Sequence, residues 1–279
     1  TSNRFGMGRA KEIIVKVIPA KIANEFVKKH HYSGKVTPNS KLHFGAFLDD
    51  KLHGVLSFGS PMDKSKVLHI VQPCLWNEML ELNRMAFDDY LPKYSESRCL
   101  AIAFKLIKRN APHIKWVLSF SDGVSCGDGT IYRASGFSLI QINSNTDMWK
   151  LPSGEIVSGN TLRQSGYTSW LKPYINIEKF NELRKGKSSS VHVLKYINAE
   201  KLKGNQLKYI YLIDKTCKIT VPIIPFSKID EMGAGMYKGK KITLAERKTS
   251  DSSITANAAG FQLAEEGQHH PIAQNTLPL

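Results

Sequence analysis

The sequence predicts an α/β fold in which helices flank a mixed central sheet. Three observations carry this prediction. Apolar runs of strand length alternate with amphipathic segments of helix length, two of the runs are joined by a tight polar turn, and 42% of the 279 residues are hydrophobic. Alternating strands and helices indicate a sheet with parallel neighbours, whereas the tight turn indicates an antiparallel hairpin. The sheet should therefore be mixed.

The first predicted elements are a strand, a helix and a hairpin. Residues 13–18 are a β-branched run, and AKIANEFVKKH carries Ile22, Phe26 and Val27 at helical spacing. The next segment, HHYSGKVTPNSK, contains Gly and Pro and is predicted to be a loop. LHFGAFL and LHGVLSFG follow, separated by Asp-Asp-Lys. Two short apolar runs around such a turn predict a β-hairpin.

Two strand–helix units follow the hairpin. Residues 79–87 are predicted to form a strand, and SESRCLAIAFKLIKRN is predicted to form a helix whose last turn is basic, as the helix dipole favours. Residues 116–121 form the next predicted strand, which ends in Asp122. GDGTIYRASGF then predicts a short helix closed by its last glycine, and a further strand begins at Phe137.

We expect three regions in the chain: a catalytic domain over 1–171, a basic, β-rich or irregular extension over 172–247, and a disordered tail over 248–279. Apolar content falls after about Arg247, so burial could not offset the entropy of ordering the tail. The later elements are expected in this order: a hairpin within 147–171, a polar helix and linker over 172–190, strands in LKYIYLI and KITVPIIPF, and a Gly- and Lys-rich loop over 226–241.

The charge balance points to a polyanionic partner. The chain has 39 Lys and Arg against 24 Asp and Glu, a net charge of +15. Such a surface attracts nucleic acid first, then acidic membranes or acidic proteins. No segment approaches the roughly 20 apolar residues that span a bilayer, and the N-terminal residues lack the apolar run of a signal peptide. We therefore expect no membrane contact and a cytoplasmic location.

The four cysteines do not predict a metal site or a disulfide framework. Cys74, Cys99, Cys126 and Cys217 lie far apart and form no CxxC pair. Cysteines with this spacing are typical of reduced thiols in a cytosolic protein.

Three residues of the strand–helix units could carry chemistry. Arg84 interrupts an apolar strand, so it must be paired or must face a ligand; Glu81 and Asp88 are candidate structural partners. Asp122 ends a strand, where ligands bind in open α/β sheets, and it could accept a hydrogen bond or a proton from an amine. It could instead cap the following helix. Tyr132 could share the site, or it could be a core residue.

Two further groups of residues are candidates for binding. His31, Tyr32 and Ser33 lie where the first helix gives way to its loop, and they could contact a substrate or shuttle protons. The alternative is a helix C-terminus that simply carries histidines. Ser95, Ser97 and Arg98 open the second helix; they could hold a pyrophosphate or could only cap the helix.

Five stretches in register resemble the Mom family of bacteriophage DNA-modification proteins, which has a GNAT-like fold. They span roughly residues 12–142, and the later PIIPFSKIDEMGAGMYKGK resembles the C-terminal part of longer members. The matching stretches are HHYSG at 30–34, GVLSFGSP at 54–61, ELNRMAFDD at 81–89, YSESRCLAIAFKLIKRNAP at 94–112 and LSFSDGVSCGDGTIYRASGF at 118–137.

The resemblance implies an enzyme that adds a small acetamide-like group to the exocyclic amine of adenine in phage double-stranded DNA, which would shield that DNA from restriction in the host cytoplasm. It implies acetyl-CoA as donor; iron has been suggested for the family, but this sequence shows no clear metal cluster. The glycine-rich pyrophosphate loop of ordinary acetyltransferases is absent, and YSESR takes its place. The implied catalytic residues are Tyr32, Arg84, Asp122 and Tyr132, with Ser95, Ser97 and Arg98 in the cofactor region.

Two other functions compete with this interpretation. The first is an ordinary GNAT N-acetyltransferase that acts on a small amine or a protein, which the missing glycine loop and the charge of +15 disfavour. The second is a non-catalytic DNA-binding protein, which accounts for the charge but not for Arg84, Asp122 and Tyr132. The chain also lacks the patterns of helix-turn-helix and zinc-finger modules.

Overall fold

The computed structural model describes residues 7–31, 33–122, 129–144, 147–159, 162, 166–185, 190–232, 236–237 and 240–241. All of these residues except Lys241 belong to one compact unit, Thr1–Lys240. Short 3-10 helices cover Met7–Glu12, Leu68–Ile70 and Ser169–Leu171.

A seven-stranded mixed sheet is the centre of this unit. Its spatial order is β1-β2-β3-β5-β6-β11-β7, and β5 and β6 are its one parallel pair. The predicted mixed sheet flanked by helices is therefore confirmed. Its strands are β1 (Ile14–Val17), β2 (Ser40–Leu48), β3 (Lys51–Gly59), β5 (Met79–Phe87), β6 (Trp116–Asp122), β7 (Ser138–Ser144) and β11 (Asn205–Leu212).

Helix α1 (Ala20–His30) covers one face of the sheet, as the spacing of its apolar residues predicts. Phe26 and Val27 are buried, but Ile22 is 45% exposed and Ala23 takes its place in the contact with the sheet. The hairpin between β2 and β3 also forms as predicted. Its turn residues, Asp49 and Asp50, both have positive φ, the conformation that two-residue hairpin turns require.

Helices α2 (Ser95–Asn110) and α3 (Thr130–Ala134) cover the opposite face. Helix α2 packs a stripe of small and apolar residues on the sheet: Cys99, Leu100, Ala103, Phe104 and Ile107. Helix α3 ends before Gly136, whose φ of 77° is the left-handed conformation expected of a glycine that closes a helix.

A second hydrophobic core lies between β7 and β11 in the sequence. It includes Trp149, Phe180 and Leu194. Part of residues 172–190, the stretch predicted to be a polar helix and linker, belongs to this second core. The helix there is mostly polar, but its Phe180 is buried in the core. Its elements are the sheet of β8 (Met148–Lys150), β9 (Ile156–Ser158) and β10 (Glu200–Lys201), with helices α4 (Ile177–Arg184) and α5 (Val191–Tyr196).

The segments after residue 200 confirm one predicted strand and correct another. LKYIYLI lies in β11, which fills the space between β6 and β7. KITVPIIPF forms only β12 (Lys218–Ile219), paired with β4 (Val71–Gln72), because its two prolines lack the N–H groups that continue a ladder. Within the predicted loop over 226–241, Ser227–Glu231 form helix α6 around buried Ile229, and β13 (Met236–Tyr237) and β14 (Lys240–Lys241) follow. The tail predicted over 248–279 lies outside the described residues.

Candidate active site

The parallel strands β5 and β6 separate partway along their length. Their register ends at the pair Leu82–Ser119, where Ser119 Oγ donates to the Leu82 carbonyl at 3.5 Å. Beyond this pair, β5 continues to Phe87 along β3, and β6 continues to Asp122 along β11. Each strand thus keeps an antiparallel neighbour on its outer side. The result is an opening through the sheet between the carboxyl ends of β5 and β6.

A β-bulge in β5 lies directly beside this opening. Ser57 of β3 pairs with Arg84, whereas the next residue, Phe58, pairs with Leu82, so Asn83 is the extra residue. Arg84 Nη1 donates to the Asn83 carbonyl at 2.7 Å, and Ser40 Oγ donates to Asn83 Oδ1 at 3.0 Å. A bulge re-aims the side chains around it, and here it sets the direction of Arg84.

Arg84 ties the strand to the loop after α1. Its Nε donates to the carbonyl of Lys35 at 2.9 Å. The internal salt bridge weighed as an alternative does not form among the described residues, because Asp88 pairs with His53 Nδ1 at 2.8 Å instead. Burial raises the pKa of Glu81, and the nearby Arg84 charge opposes that shift without forming an ion pair. Two of the five guanidinium N–H groups are thus used on backbone carbonyls.

His31 and Ser33 lie close to Arg84. The backbone N–H of Ser33 donates to His31 Nδ1 at 3.1 Å, and Ser33 Oγ lies 2.7 Å from the same nitrogen. Burial, helped by the charge of Arg84, lowers the pKa of His31 to about 4. The imidazole is therefore neutral at pH 7, with Nδ1 as acceptor. The structure brings these three candidates together; Tyr32, between them in sequence, lies outside the described residues.

Asp122 lies on the same face of the sheet as Arg84, opposite α2. On β6, Trp116 and Leu118 face away from the core beneath α2, and alternation along the strand gives Asp122 the same direction. On β5, Ala86 packs against α1, so Arg84, two residues earlier, faces that side as well. The two residues therefore flank the opening from the two strands that border it.

Tyr132 lies on the other face, beneath α2 and α3. Its ring centroid is 5.1 Å from those of Phe137 and Tyr209, and the residue is 8% exposed. Tyr209 also packs closely on Gly129, where an added Cβ would lie 2.7 Å from the tyrosine hydroxyl. Tyr132 thus belongs to an aromatic cluster and is separated from Arg84 and Asp122 by the sheet.

Ser95, Ser97 and Arg98 lie in the first turn of α2, on this same face. Ser95 Oγ donates to the Pro92 carbonyl at 2.5 Å and Ser97 Oγ to the Tyr94 carbonyl at 3.1 Å, and no side chain caps the helix. Arg98 Nη2 donates to the Lys11 carbonyl at 3.2 Å, while its buried Nε has no partner among the described residues. The capping alternative for the serines is therefore wrong, and the first turn of α2 has no side-chain cap.

Sequence reasoning missed His43 and Ser57. They pair directly across β2 and β3, and Ser57 in turn pairs with Arg84, so the three residues form one row on the face opposite α2. His43 Nδ1 lies 2.8 Å from Ser57 Oγ, and burial lowers the pKa of the imidazole. The available signal was one polar residue inside each apolar run of the predicted hairpin, in LHFGAFL and GVLSFG.

The described residues lack both a metal-binding cluster and a membrane-spanning helix. No group of three or more His, Cys, Asp or Glu side chains there is placed to hold a metal ion. No helix among them is long and apolar enough to cross a membrane.

Comparison with known proteins identifies the family. The model of the Mom protein family matches residues 12–228. The methylcarbamoylase mom of Escherichia phage Mu is 32% identical over 182 residues, which cover 63% of this chain and 75% of that protein.

Solved acetyltransferase structures are also similar to this chain. An acetyltransferase from Bacillus subtilis in complex with CoA is 11% identical, with a TM-score of 0.38 over 72% of this chain and 98% of that one. A GNAT family acetyltransferase from Elizabethkingia anophelis with acetyl-CoA bound is 12% identical, with a TM-score of 0.36 over 72% and 97%.

The order of elements, a hairpin followed by the units β5-α2 and β6-α3, is the order that the sequence predicts. The family match covers most of the chain and includes the strands on both sides of the opening. The chain belongs to the Mom protein family and is an enzyme of the transferase class.

Proposed function

We propose that this transferase modifies adenine in double-stranded DNA by adding a small acetamide-like group to the exocyclic amine, and that the modification protects phage DNA from host restriction. The observation that carries the proposal is membership of the Mom family together with Arg84 and Asp122 on the two borders of the opening. The net charge of +15 suits a polyanionic substrate.

The two faces of the sheet suit two different ligands. Arg84, Asp122, His31 and Ser33 lie on the face with α1, and we assign the acceptor base to that side. A base inside a duplex cannot reach such a site, so the adenine must be swung out of the stack. Tyr32 is proposed to stack on it. Tyr132 cannot do so, because its ring is already packed between Phe137 and Tyr209.

The other face suits an acyl-CoA. The first turn of α2 has no side-chain cap, and the buried Nε of Arg98, which has no partner among the described residues, is a donor next to it. Helix N-termini of this kind bind phosphate groups. We assign the pyrophosphate to Ser95, Ser97 and Arg98 through these donors. When bound, an acyl-CoA would supply an activated acyl carbon. Because transfer of an acetyl group alone yields an N-acetyl adenine, the nitrogen of an acetamide-like group would have to come from a further donor.

The protein's own side chains orient the adenine amino group and transfer protons. Asp122 accepts a hydrogen bond from the adenine amino group, which orients a weak nucleophile whose lone pair is delocalised into the ring. Asp122 then takes the proton that this nitrogen loses as its new bond forms. Arg84 has N–H groups beyond the two used on Lys35 and Asn83, and we assign to them the stabilisation of a developing negative charge. Tyr132 lies on the other face of the sheet, and we assign its hydroxyl the role of proton donor to the group that leaves.

The first prediction tests this assignment through Asp122→Asn. The protein is co-expressed with a plasmid, and the DNA is digested to nucleosides and analysed by mass spectrometry. Wild type should yield a new deoxyadenosine species whose mass identifies the added group. Because Asn cannot take a proton, the variant should lose at least about a hundredfold of the product while DNA affinity stays unchanged.

Asp63→Asn is the matched control, since Asp63 is an exposed carboxylate that pairs with Lys66 on a surface loop. It should modify DNA like wild type. A folded Asp122→Asn variant that retains most of its activity would remove Asp122 from the mechanism. The absence of any new nucleoside with wild type would instead favour an ordinary acetyltransferase or a DNA-binding protein.

A further inference from the structure

A second polar group lies beside Arg84 on the acceptor face. His43, Ser57 and Arg84 are directly opposed on β2, β3 and β5, which brings neighbouring Cβ atoms to about 4.5–5.5 Å. His43 Nδ1 is held by Ser57 Oγ at 2.8 Å. The imidazole therefore has a set orientation, and one of its two nitrogens is already engaged.

The other nitrogen of His43 has no partner among the described residues. His43 is 3% exposed, and its Nε2 is buried without a hydrogen bond. The hydroxyl of Thr37, at the end of the loop that Arg84 holds through Lys35, is also buried without a partner in the described structure. Buried polar atoms are rarely left unpaired, because desolvation without a hydrogen bond is costly. A ligand bound on the face that carries Arg84 would supply the missing partner of His43, which stands in the same cross-strand row.

The chemistry of the ligand follows from the charge of the imidazole. Burial lowers the pKa of His43, so the ring is neutral at pH 7. A neutral imidazole offers one donor or one acceptor at Nε2, which matches an uncharged heteroaromatic ring better than a phosphate. Adenine presents both partners on one edge, the amino group as donor and a ring nitrogen as acceptor.

We propose that His43, oriented by Ser57, binds the extruded adenine through Nε2 and is a specificity-determining residue of the acceptor pocket. The inference rests on the proposed function, since it assigns a further contact to the same base. If Ser57 donates to Nδ1, Nε2–H donates to a ring nitrogen. If Nδ1–H donates to Ser57, Nε2 accepts from the amino group.

The test compares two substitutions that each keep one nitrogen position. His43→Asn keeps the contact with Ser57 and loses the Nε2 position, whereas His43→Gln reaches the Nε2 position and loses the contact with Ser57. In the plasmid assay, His43→Asn should yield about tenfold less modified adenine, the equivalent of one lost hydrogen bond, and His43→Gln should stay within about threefold of wild type.

His53→Asn is the matched control. His53 is also buried, its Nδ1 is held by Asp88 at 2.8 Å, and its Nε2 also lacks a partner among the described residues. It lies at the hairpin end of β3, away from the row of His43 and Arg84. This variant should keep wild-type modification. Equal losses in His43→Asn and His53→Asn would assign both histidines a structural role and would overturn the proposal.

A second measurement does not depend on catalysis. Wild-type protein with 15N-labelled histidine is titrated with dAMP or dTMP, and His43→Asn or His43→Gln assigns the His43 signals. We expect dAMP, but not dTMP, to shift the Nε2 resonance of His43. No shift with dAMP, or equal shifts with both, would overturn the inference even if wild type modifies DNA. An absent product with a dAMP-specific shift would reject the proposed reaction and retain the base site.

Discussion

At the scale of single residues, Arg84 lies in an apolar strand and forms no ion pair with a carboxylate among the described residues. Its Nε and Nη1 donate to the carbonyls of Lys35 and Asn83. Carbonyl acceptors satisfy these two N–H groups without forming an ion pair. The charge of Arg84 remains available to a nearby anion, and it lowers the pKa of His31 together with burial. Arg84 is thus both a link to the loop after α1 and a source of positive potential at the opening.

His31 gives a prediction of pH dependence. Its pKa is about 4 in the folded protein against 6.5 for an ordinary histidine, so the unfolded chain binds its proton first as the pH falls. The stability contributed by neutral His31 is complete above pH 6.5 and is lost as the pH falls towards 4. Between pH 7 and pH 5 the loss should be about 1–2 kcal/mol, reduced by the partial exposure of the ring.

Urea unfolding at these two pH values checks this prediction. His31→Asn keeps an acceptor for the backbone N–H of Ser33 but cannot take up a proton, so its stability should fall less with pH than that of wild type. His113→Asn, at an exposed position before β6, should follow wild type. Equal pH dependence in all three proteins would show that His31 does not carry the effect.

At the scale of elements, β11 decides the shape of the site. It pairs with β6 along its whole length, up to Asp122, and with β7 on its other side. Beyond Leu82, β6 stays paired with β11 and β5 stays paired with β3. The parallel strands β5 and β6 therefore separate from each other there. A strand more than 80 residues after β6 in the sequence therefore forms one border of the opening.

This arrangement predicts that the chain cannot fold without β11. Truncation after residue 203 removes Leu207, Tyr209 and Ile210, each at most 1% exposed, and leaves β6 and β7 without the strand between them. The truncated chain should show no cooperative thermal transition by circular dichroism. A chain that ends at Lys241 is the control and should unfold cooperatively. A stable, cooperative protein of 203 residues would contradict this account and would support a separate domain ending near residue 171.

At the scale of the whole molecule, the positive charge is concentrated before residue 242. Residues 242–279 contain two basic and four acidic residues, which leaves 37 basic and 20 acidic residues in 1–241, a net charge of +17. Association with DNA releases counterions in proportion to the phosphates contacted, so the affinity should fall steeply with salt. The charge that we propose attracts DNA therefore belongs to the part of the chain that contains the candidate site.

Fluorescence anisotropy with a labelled duplex checks this distribution. Affinity should fall at least about a hundredfold between 50 and 200 mM salt, as expected for several phosphate contacts. The chain that ends at Lys241 should bind within about threefold of the full chain and with the same salt dependence. Loss of binding on removal of residues 242–279 would place the DNA contact in the tail instead.

The sequence by itself determined most of the helices and strands whose signals lie within a short stretch of the chain. The first helix, the hairpin, β5, α2, β6 and α3 follow from periodicity, turn residues and the glycine that ends α3. These signals lie within short windows, so they can be read without knowledge of distant contacts. The sequence also indicated Arg84 and Asp122, because a cation inside an apolar strand and a carboxylate at a strand end are both local anomalies.

Only the tertiary structure decided which residues share a face and where the sheet opens. The bulge at Asn83, the insertion of β11 beside β6 and the row of His43, Ser57 and Arg84 all depend on cross-strand register. Register joins residues far apart in sequence, and a shift of one position reverses the face of every side chain. Residues that were grouped by their spacing, such as Asp122 and Tyr132, were therefore separated onto opposite faces by the folded sheet.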